Sequence, residues 1–278
     1  MIVCTSILSS TATGAEHPRG GEDRLIFKDC RDCPELVFIG SANVAEGQED
    51  KGSEIGFAIG RFEVTFSEWD TCVADGACGG YSPPDNGWGR GGRPVINVSP
   101  DDAKEFARWL SKKTGKKYRV PSTAEWEQAA TPATPAPVSR YANLANTSCS
   151  EKDSDCDAWL GTAPVGSLLP NSFGIFDMIG NAPELVDDCV TEKHLTDDTG
   201  KCPEAILKGG GWNYYEVDIS RERRWVSIAG RRGGFGFRIV RSVTVSDLEG
   251  SSFGTRTENL EIETPVPSEN LSRHGSRP

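Results

Sequence analysis

Two long stretches of this 278-residue chain, 78–98 and 131–205, are rich in Gly, Pro, Asn and Asp and carry almost no hydrophobic periodicity. Ordering so much loop is expensive in conformational entropy, and loops of this length are uncommon in compact domains. Something beyond a hydrophobic core must tie them down, and disulfides or bound cations are the two candidates. With 31 Gly and 17 Pro the chain cannot be a helical bundle. A hydrophobic fraction of 36% and a mean hydropathy of −0.44 fit a soluble globular protein. No apolar run approaches the ~20 residues of a membrane span.

The cysteines supply the first kind of tie. Eight of the nine fall into four local pairs: Cys30/Cys33, Cys72/Cys78, Cys149/Cys156 and Cys189/Cys202. Each pair brackets polar, turn-forming residues. We expect four disulfides between chain neighbours, formed in an oxidising compartment. Metal binding is the competing reading, but a structural zinc site needs two CxxC halves or a Cys/His set, and the sequence has one CxxC. Redox chemistry at Cys30-Arg31-Asp32-Cys33 is disfavoured, because Asp29, Asp32 and Glu35 would raise the thiol pKa. The start, Met1 to Glu16, is a short apolar stretch that ends in small residues without a basic beginning. It reads as a weak or truncated signal peptide cleaved near Ala15, or as an unstructured terminus.

Charge and histidine count close off other classes. Thirty Lys+Arg against 41 Asp+Glu give −11, with a pI near 4.9. Nucleic acid is excluded as a partner, since a phosphate-tracking surface needs cationic stripes. A three-histidine metal centre would have to use His17 and His274, both in terminal segments.

Three helices are legible from their caps. Thr65 to Glu68 opens one that stops at Gly76. Ser99-Pro100-Asp101-Asp102 opens a second, with Pro at the first position and acids at the positive end of the dipole. Its Ala103, Phe106, Ala107 and Leu110 keep helical spacing, and Gly115 ends it. Ser122 to Glu125 caps the third. Strands are expected at Leu36–Ile39, Phe57–Val64, Ile206–Leu207 and Phe237–Arg241. Residues 1–33 are assigned to a leader and N-terminal segment, 34–241 to one α+β domain, and 242–278 to a disordered tail.

A series of phrases in fixed order is more specific. Gly60-Arg-Phe-Glu-Val-Thr65 is followed by Arg93-Pro-Val-Ile-Asn97, and then by Arg119-Val-Pro-Ser-Thr-Ala-Glu125-Trp126. Next come Gly174-Ile-Phe-Asp177-Met-Ile-Gly180-Asn181, Leu207-Lys-Gly209-Gly210-Gly211-Trp212 and Gly236-Phe237-Arg238. Over about residues 34–241 this series resembles the formylglycine-generating enzyme (sulfatase-modifying factor) family. The resemblance implies a C-type-lectin-like α+β fold with little regular secondary structure and two structural calcium ions. For the first ion it implies Asn143, the Leu144 carbonyl, Asp157 and the Trp159 carbonyl. For the second it implies Asp177, the carbonyls of Gly180 and Ala182, and Glu184. Carboxylates, amides and main-chain carbonyls are the oxygen ligands that calcium takes. Pro183 and the missing aromatics of Gly180-Asn181-Ala182-Pro183-Glu184-Leu185 are departures from the family phrase.

The family's copper chemistry does not carry over. Its two copper-binding cysteines lie about five residues apart after the Gly-Gly phrase, where this chain has Tyr214 and Ile219, and no cysteine follows Cys202. Soft Cu(I) needs sulfur ligands, so neither copper nor iron is expected. The segment instead offers a polar-aromatic surface: Trp212, Asn213, Tyr214, Tyr215, Arg221, Arg223, Arg224 and Trp225. The resulting expectation is an extracytoplasmic, periplasmic or secreted, binding or accessory protein for an extended peptide or a small polar ligand. The alternatives are a divergent oxidase or maturation enzyme, and a purely structural envelope component.

Overall fold

The computed structural model describes residues 25–40, 52–130, 140–144, 159, 161–189, 204–213, 223–225, 230–231 and 233–250. Five strands form one sheet in the order β1 (Ile26–Phe27), β2 (Leu36–Gly40), β3 (Glu54–Gly60), β9 (Val240–Thr244), β4 (Tyr118–Arg119). A second sheet has the order β7 (Arg223–Trp225), β6 (Ala205–Lys208), β5 (Glu184–Cys189), β8 (Gly236–Phe237), antiparallel except for β5 with β8. Helices α1 (Phe66–Ala74), α2 (Pro100–Thr114) and α3 (Thr123–Ala130) precede the second sheet, and α4 (Val245–Gly250) follows β9.

Strand β2 reads Leu-Val-Phe-Ile because the first sheet is covered on both faces, as near-continuous apolar strands are. Leu36 and Ala58 join a cluster with Phe66, Trp69, Phe106 and Leu110 from α1 and α2. Their neighbours Val37, Ile39, Phe57 and Ile59 face the other way, onto Trp126 and Ala129 of α3 and onto Val186 and Ile206. The register Leu36↔Gly60 through Ile39↔Phe57 keeps this alternation, and a one-residue slip would exchange the two faces.

The helix boundaries follow their caps. In α1 the Thr65 hydroxyl accepts from the Glu68 N–H while Glu68 accepts from the Thr65 N–H. Ser99 and Asp102 repeat the arrangement in α2, which ends on Gly115 in the left-handed conformation. Strand lengths are less faithful to sequence. The expected Phe57–Val64 strand stops at Gly60, and Phe237–Arg241 is broken at Arg238, whose side chain turns into the interior.

The elements extend beyond both expected domain limits. Strand β1 pairs with β2 ahead of residue 34. The tail expected from Ser242 begins instead as strand and then helix, because Val243 is fully buried and Asp247 is paired with Lys116 and Arg241. Short alternation and a distant ion pair left too little signal to find this from sequence.

Two of the four expected disulfides are formed, Cys30–Cys33 and Cys72–Cys78. Loops this short contribute only about 2 kcal/mol each in the chain-entropy picture. Cys149, Cys156 and Cys202 lie outside the described residues, as does the side chain of Cys189.

Much of the 78–98 loop is held by a third kind of tie, side-chain hydrogen bonds. Trp69 Nε1 donates to the Tyr81 carbonyl (2.8 Å) and Asn97 Nδ2 to the Pro84 carbonyl (2.8 Å). Asn97 Oδ1 accepts from the Gly234 N–H at 3.2 Å. Arg90 reaches the Pro83 carbonyl and Asp70, and stacks on Phe66.

Candidate functional site

The turn from Asp177 to Ala182 leads into β5 and packs against a buried charge cluster. Glu63 follows β3, Glu184 begins β5 and Arg238 follows β8. Their exposures, with Asp177, are 1%, 1%, 0% and 3%. Arg238 grips Glu184 through Nε (2.6 Å) and a terminal nitrogen (2.5 Å), and donates to the carbonyls of Gly60 and Phe176. Trp126 Nε1 adds a third donor to Glu184 at 2.8 Å. Glu63 accepts from Asn181 Nδ2 (2.7 Å) and the Ala182 N–H (2.9 Å). Asp177 accepts from the Gly166 N–H at 2.8 Å.

Three carboxyl groups thus share one arginine. Burial, followed by the charges of Asp177 and Glu184, pushes Glu63 well above the usual carboxylate range, against the pull of Arg238 and the Ala182 N–H. Burial likewise brings Asp177 up to about 6, with Glu184 adding to it and Arg238 opposing. Negative charge is therefore in excess in this interior, and a site of this kind favours a cation or a proton.

Of the residues expected around calcium, Asp177, Gly180 and Ala182 lie in this turn and Asn143 packs against it. Asn143 and Gly180 form an isolated parallel bridge. Asn143 Nδ2 donates to the Gly161 carbonyl (2.9 Å), leaving the amide oxygen as the atom it would offer a cation, and its carbonyl receives the Asn181 N–H. Leu144 is buried beside it. Gly180 has φ +79, and a Cβ there would lie 2.4 Å from the Asn143 carbonyl oxygen, so glycine is required. Asp177 and Asn181 also take positive φ, at 56° and 59°. Asp157 lies outside the described residues, and Trp159 sits under the Arg93 guanidinium at 5.0 Å. Glu184 is committed to Arg238 and Trp126. Among the described residues, no three of His, Cys, Asp and Glu are arranged to hold one metal ion. A cation at the second position would therefore rest on Asp177 and the Gly180 and Ala182 carbonyls more than on Glu184.

The expected ligand surface begins where this turn ends. The Trp212 N–H donates to the Asn181 carbonyl (2.9 Å), and the Trp212 ring meets Trp88 edge-on with centroids 4.9 Å apart. Gly161 lies against the Trp88 ring, where a Cβ would clash at 2.2 Å. Asn213 is exposed. Arg223, Arg224 and Trp225 form β7, the edge strand beside β6, but their side chains lie outside the description. So do Tyr214, Tyr215 and Arg221.

Sequence reasoning assigned no site role to Glu63, Asn181, Arg238, Trp126, Trp88 or Arg93. A signal existed for two of them. Glu63 sits between Phe62 and Val64, and Arg238 between Phe237 and Ile239, and a lone charge in an apolar run has to be paired if it is buried.

The two sheets, sparse helices, long tied loops and polar interior turn define a loop-rich, C-type-lectin-like α+β domain of the formylglycine-generating-enzyme kind. Residues 22–243 match the sulfatase-modifying factor enzyme 1-like domain model, and the chain belongs to that family. It is 35% identical over 105 residues to the formylglycine-generating enzyme of Mycobacterium tuberculosis, covering 34% of this chain and 33% of that one. It is 30% identical over 100 residues to the inactive C-alpha-formylglycine-generating enzyme 2 of Bos taurus, covering 33% and 31%. Among solved structures, PvdO from Pseudomonas aeruginosa superposes with a TM-score of 0.58 at 26% identity, over 80% of this chain and 100% of that one. The chain spans about half, or less, of the length of the curated relatives it matches.

Proposed function

We propose that this chain is a non-oxidase member of its family: an extracytoplasmic binding or accessory protein with structural calcium. The observation that carries this is the pair Tyr214 and Ile219, at the positions where the resemblance places copper-binding cysteines, with no cysteine after Cys202. A phenol and an aliphatic side chain cannot bind Cu(I) as thiolates do. The bovine relative named as inactive is consistent with loss of activity within this family. The ligand is an extended peptide or small polar molecule, received on Trp212, Asn213, Tyr214, Tyr215, Arg221, Arg223, Arg224 and Trp225. Aromatic and arginine side chains together offer cation–π and bidentate contacts. The Cys30–Cys33 and Cys72–Cys78 disulfides support an oxidising compartment. No helix among the described residues is long and apolar enough to cross a membrane.

Calcium fits the turn on charge: three buried carboxyl groups against one arginine leave a deficit that a divalent cation would offset. Asp177, with the Gly180 and Ala182 carbonyls, would hold one ion, and Asn143, Leu144, Asp157 and Trp159 the other. The ions would fix the 140–184 loops and supply no reaction chemistry. Titration with Cu(I) against a competing chelator tests the proposal. We expect no tight copper site, and a stoichiometric high-affinity site would overturn it. Calcium is tested by melting: chelator lowers the transition in the wild type and has much less effect in Asp157→Ala. A wild-type transition unmoved by chelator, with no cation found by elemental analysis, removes the calcium assignment.

A further inference from the structure

The Cys30–Cys33 pair differs from Cys72–Cys78 in a way that bears on chemistry. Cys72 and Cys78 are both fully buried. In the first pair Cys33 is 1% exposed, whereas Cys30 is partly exposed and the intervening Arg31 and Asp32 face solvent. Cys30 is thus the more accessible member of the pair, only partly packed against the core that seals Cys33. Two of the three acids that would raise a thiol pKa are compensated, while Asp32 is exposed to solvent. Asp29 is bound by Arg241 (2.9 Å) and by the Tyr118 hydroxyl, and Glu35 by Arg61 (2.9 Å). The loop is also held independently of its disulfide. The Cys33 N–H donates to the Cys30 carbonyl at 3.2 Å, and strands β1 and β2 on either side are paired with each other. Breaking the S–S bond would leave two thiols on a fixed frame, with Cα atoms 5.0 Å apart.

We propose that Cys30–Cys33 is an exchangeable disulfide, a thiol–disulfide exchange site in which Cys30 receives the incoming thiol and Cys33 is the resolving sulfur. A thiolate of an external thiol or peptide attacks the Cys30 sulfur. The Cys30–Cys33 bond breaks, a mixed disulfide forms on Cys30, and Cys33 leaves as a thiolate that takes a proton from solvent. A second thiol of the reductant then attacks its own sulfur in the mixed disulfide and releases the Cys30 thiolate. Two electrons have passed from the external dithiol, now a disulfide, to the Cys30/Cys33 pair. In the reverse direction Cys33 attacks the mixed disulfide and re-forms the internal bond. Exchange of this kind depends on which sulfur can be reached and on a neighbouring thiol that resolves the intermediate. It is independent of the ligand surface at Trp212.

The full-length folded protein, incubated in glutathione buffers of graded ratio, quenched by alkylation and read by peptide mass spectrometry, tests the assignment. Cys30–Cys33 should open at a ratio where Cys72–Cys78 remains oxidised in the same molecules, with glutathione found on Cys30. Resistance of Cys30–Cys33 under conditions that preserve the fold would overturn the proposal. So would opening of both pairs together. In a second arm, oxidised glutathione should modify Cys33→Ser rapidly at Cys30, while Cys30→Ser should stay unmodified at Cys33. Equal labelling of the two variants, each shown by circular dichroism to be folded, would contradict the division of roles. If either variant fails to fold, the wild-type comparison decides alone.

Discussion

Arg238 ties several parts of the described interior together. It is fully buried, forms a fork with Glu184, and ties the ends of two strands and the Phe176 turn through main-chain carbonyls. A buried ion pair stabilises little relative to a packed apolar substitute, but removing one partner strands the other charge. Arg238→Met should therefore destabilise by about 3–5 kcal/mol in urea denaturation, through exposure of the Glu63–Asp177–Glu184 cluster to its own repulsion. A loss below about 1 kcal/mol would mean that the cluster is neutral in the folded protein. The pairing was invisible in the sequence because 54 positions separate its partners. The lone charge between Phe237 and Ile239 was visible, and it marked the residue without naming what it meets.

Local signals were legible at the level of elements and distant ones were not. The caps of α1 and α2 are short-range devices, with Thr65 and Glu68, or Ser99 and Asp102, three residues apart. Their boundaries could be read directly. Strand ends depend on partners far away, so Phe57–Val64 was overextended and β9 and α4 were missed beyond Ser242. The α2 cap also has a second function: Asp102 accepts a bidentate fork from Arg231 (2.9 and 2.7 Å), whose guanidinium stacks on Tyr81 at 3.8 Å. Ser99→Ala should lower stability by about 1 kcal/mol, as loss of an N-cap does. Measured with Arg231→Ala in a double-mutant cycle, the two losses should not be additive, because both groups hold the same carboxylate. Strict additivity would show that Ser99 and Arg231 act independently.

For the whole molecule, acid sensitivity should come from carboxylates whose pKa falls on folding. Burial alone would raise Asp247, but Lys116, the Thr244 N–H and hydroxyl, and Arg241 outweigh it and bring it to about 2, below its ordinary 3.8. Asp102 is also lowered, with Arg231 and Ser99 overcoming burial. A depressed carboxylate stabilises the fold fully above its unfolded pKa, and that stability is lost as pH falls through the folded value. Asp177, raised to about 6, works the other way, so the urea midpoint should rise or hold as pH falls from 7 to about 5 and then decline towards pH 2, with a smaller decline in Asp247→Asn. An unchanged acid limb in that variant would remove Asp247 from the account.

The same scale sets the limit of what sequence alone could supply. Phrase order identified the family and fold, and the cysteine pairs identified two disulfides. The meeting of Asn143 with Gly180 and of Trp88 with Trp212 needed the folded chain. The central claim, a family fold retained without its copper oxidation, is tested most directly by turnover. Purified protein is incubated with a sulfatase-type cysteine peptide, copper, oxygen and reductant, and the peptide mass is followed. The account predicts no change in that mass. Copper-dependent conversion of the cysteine thiol to an aldehyde would contradict it.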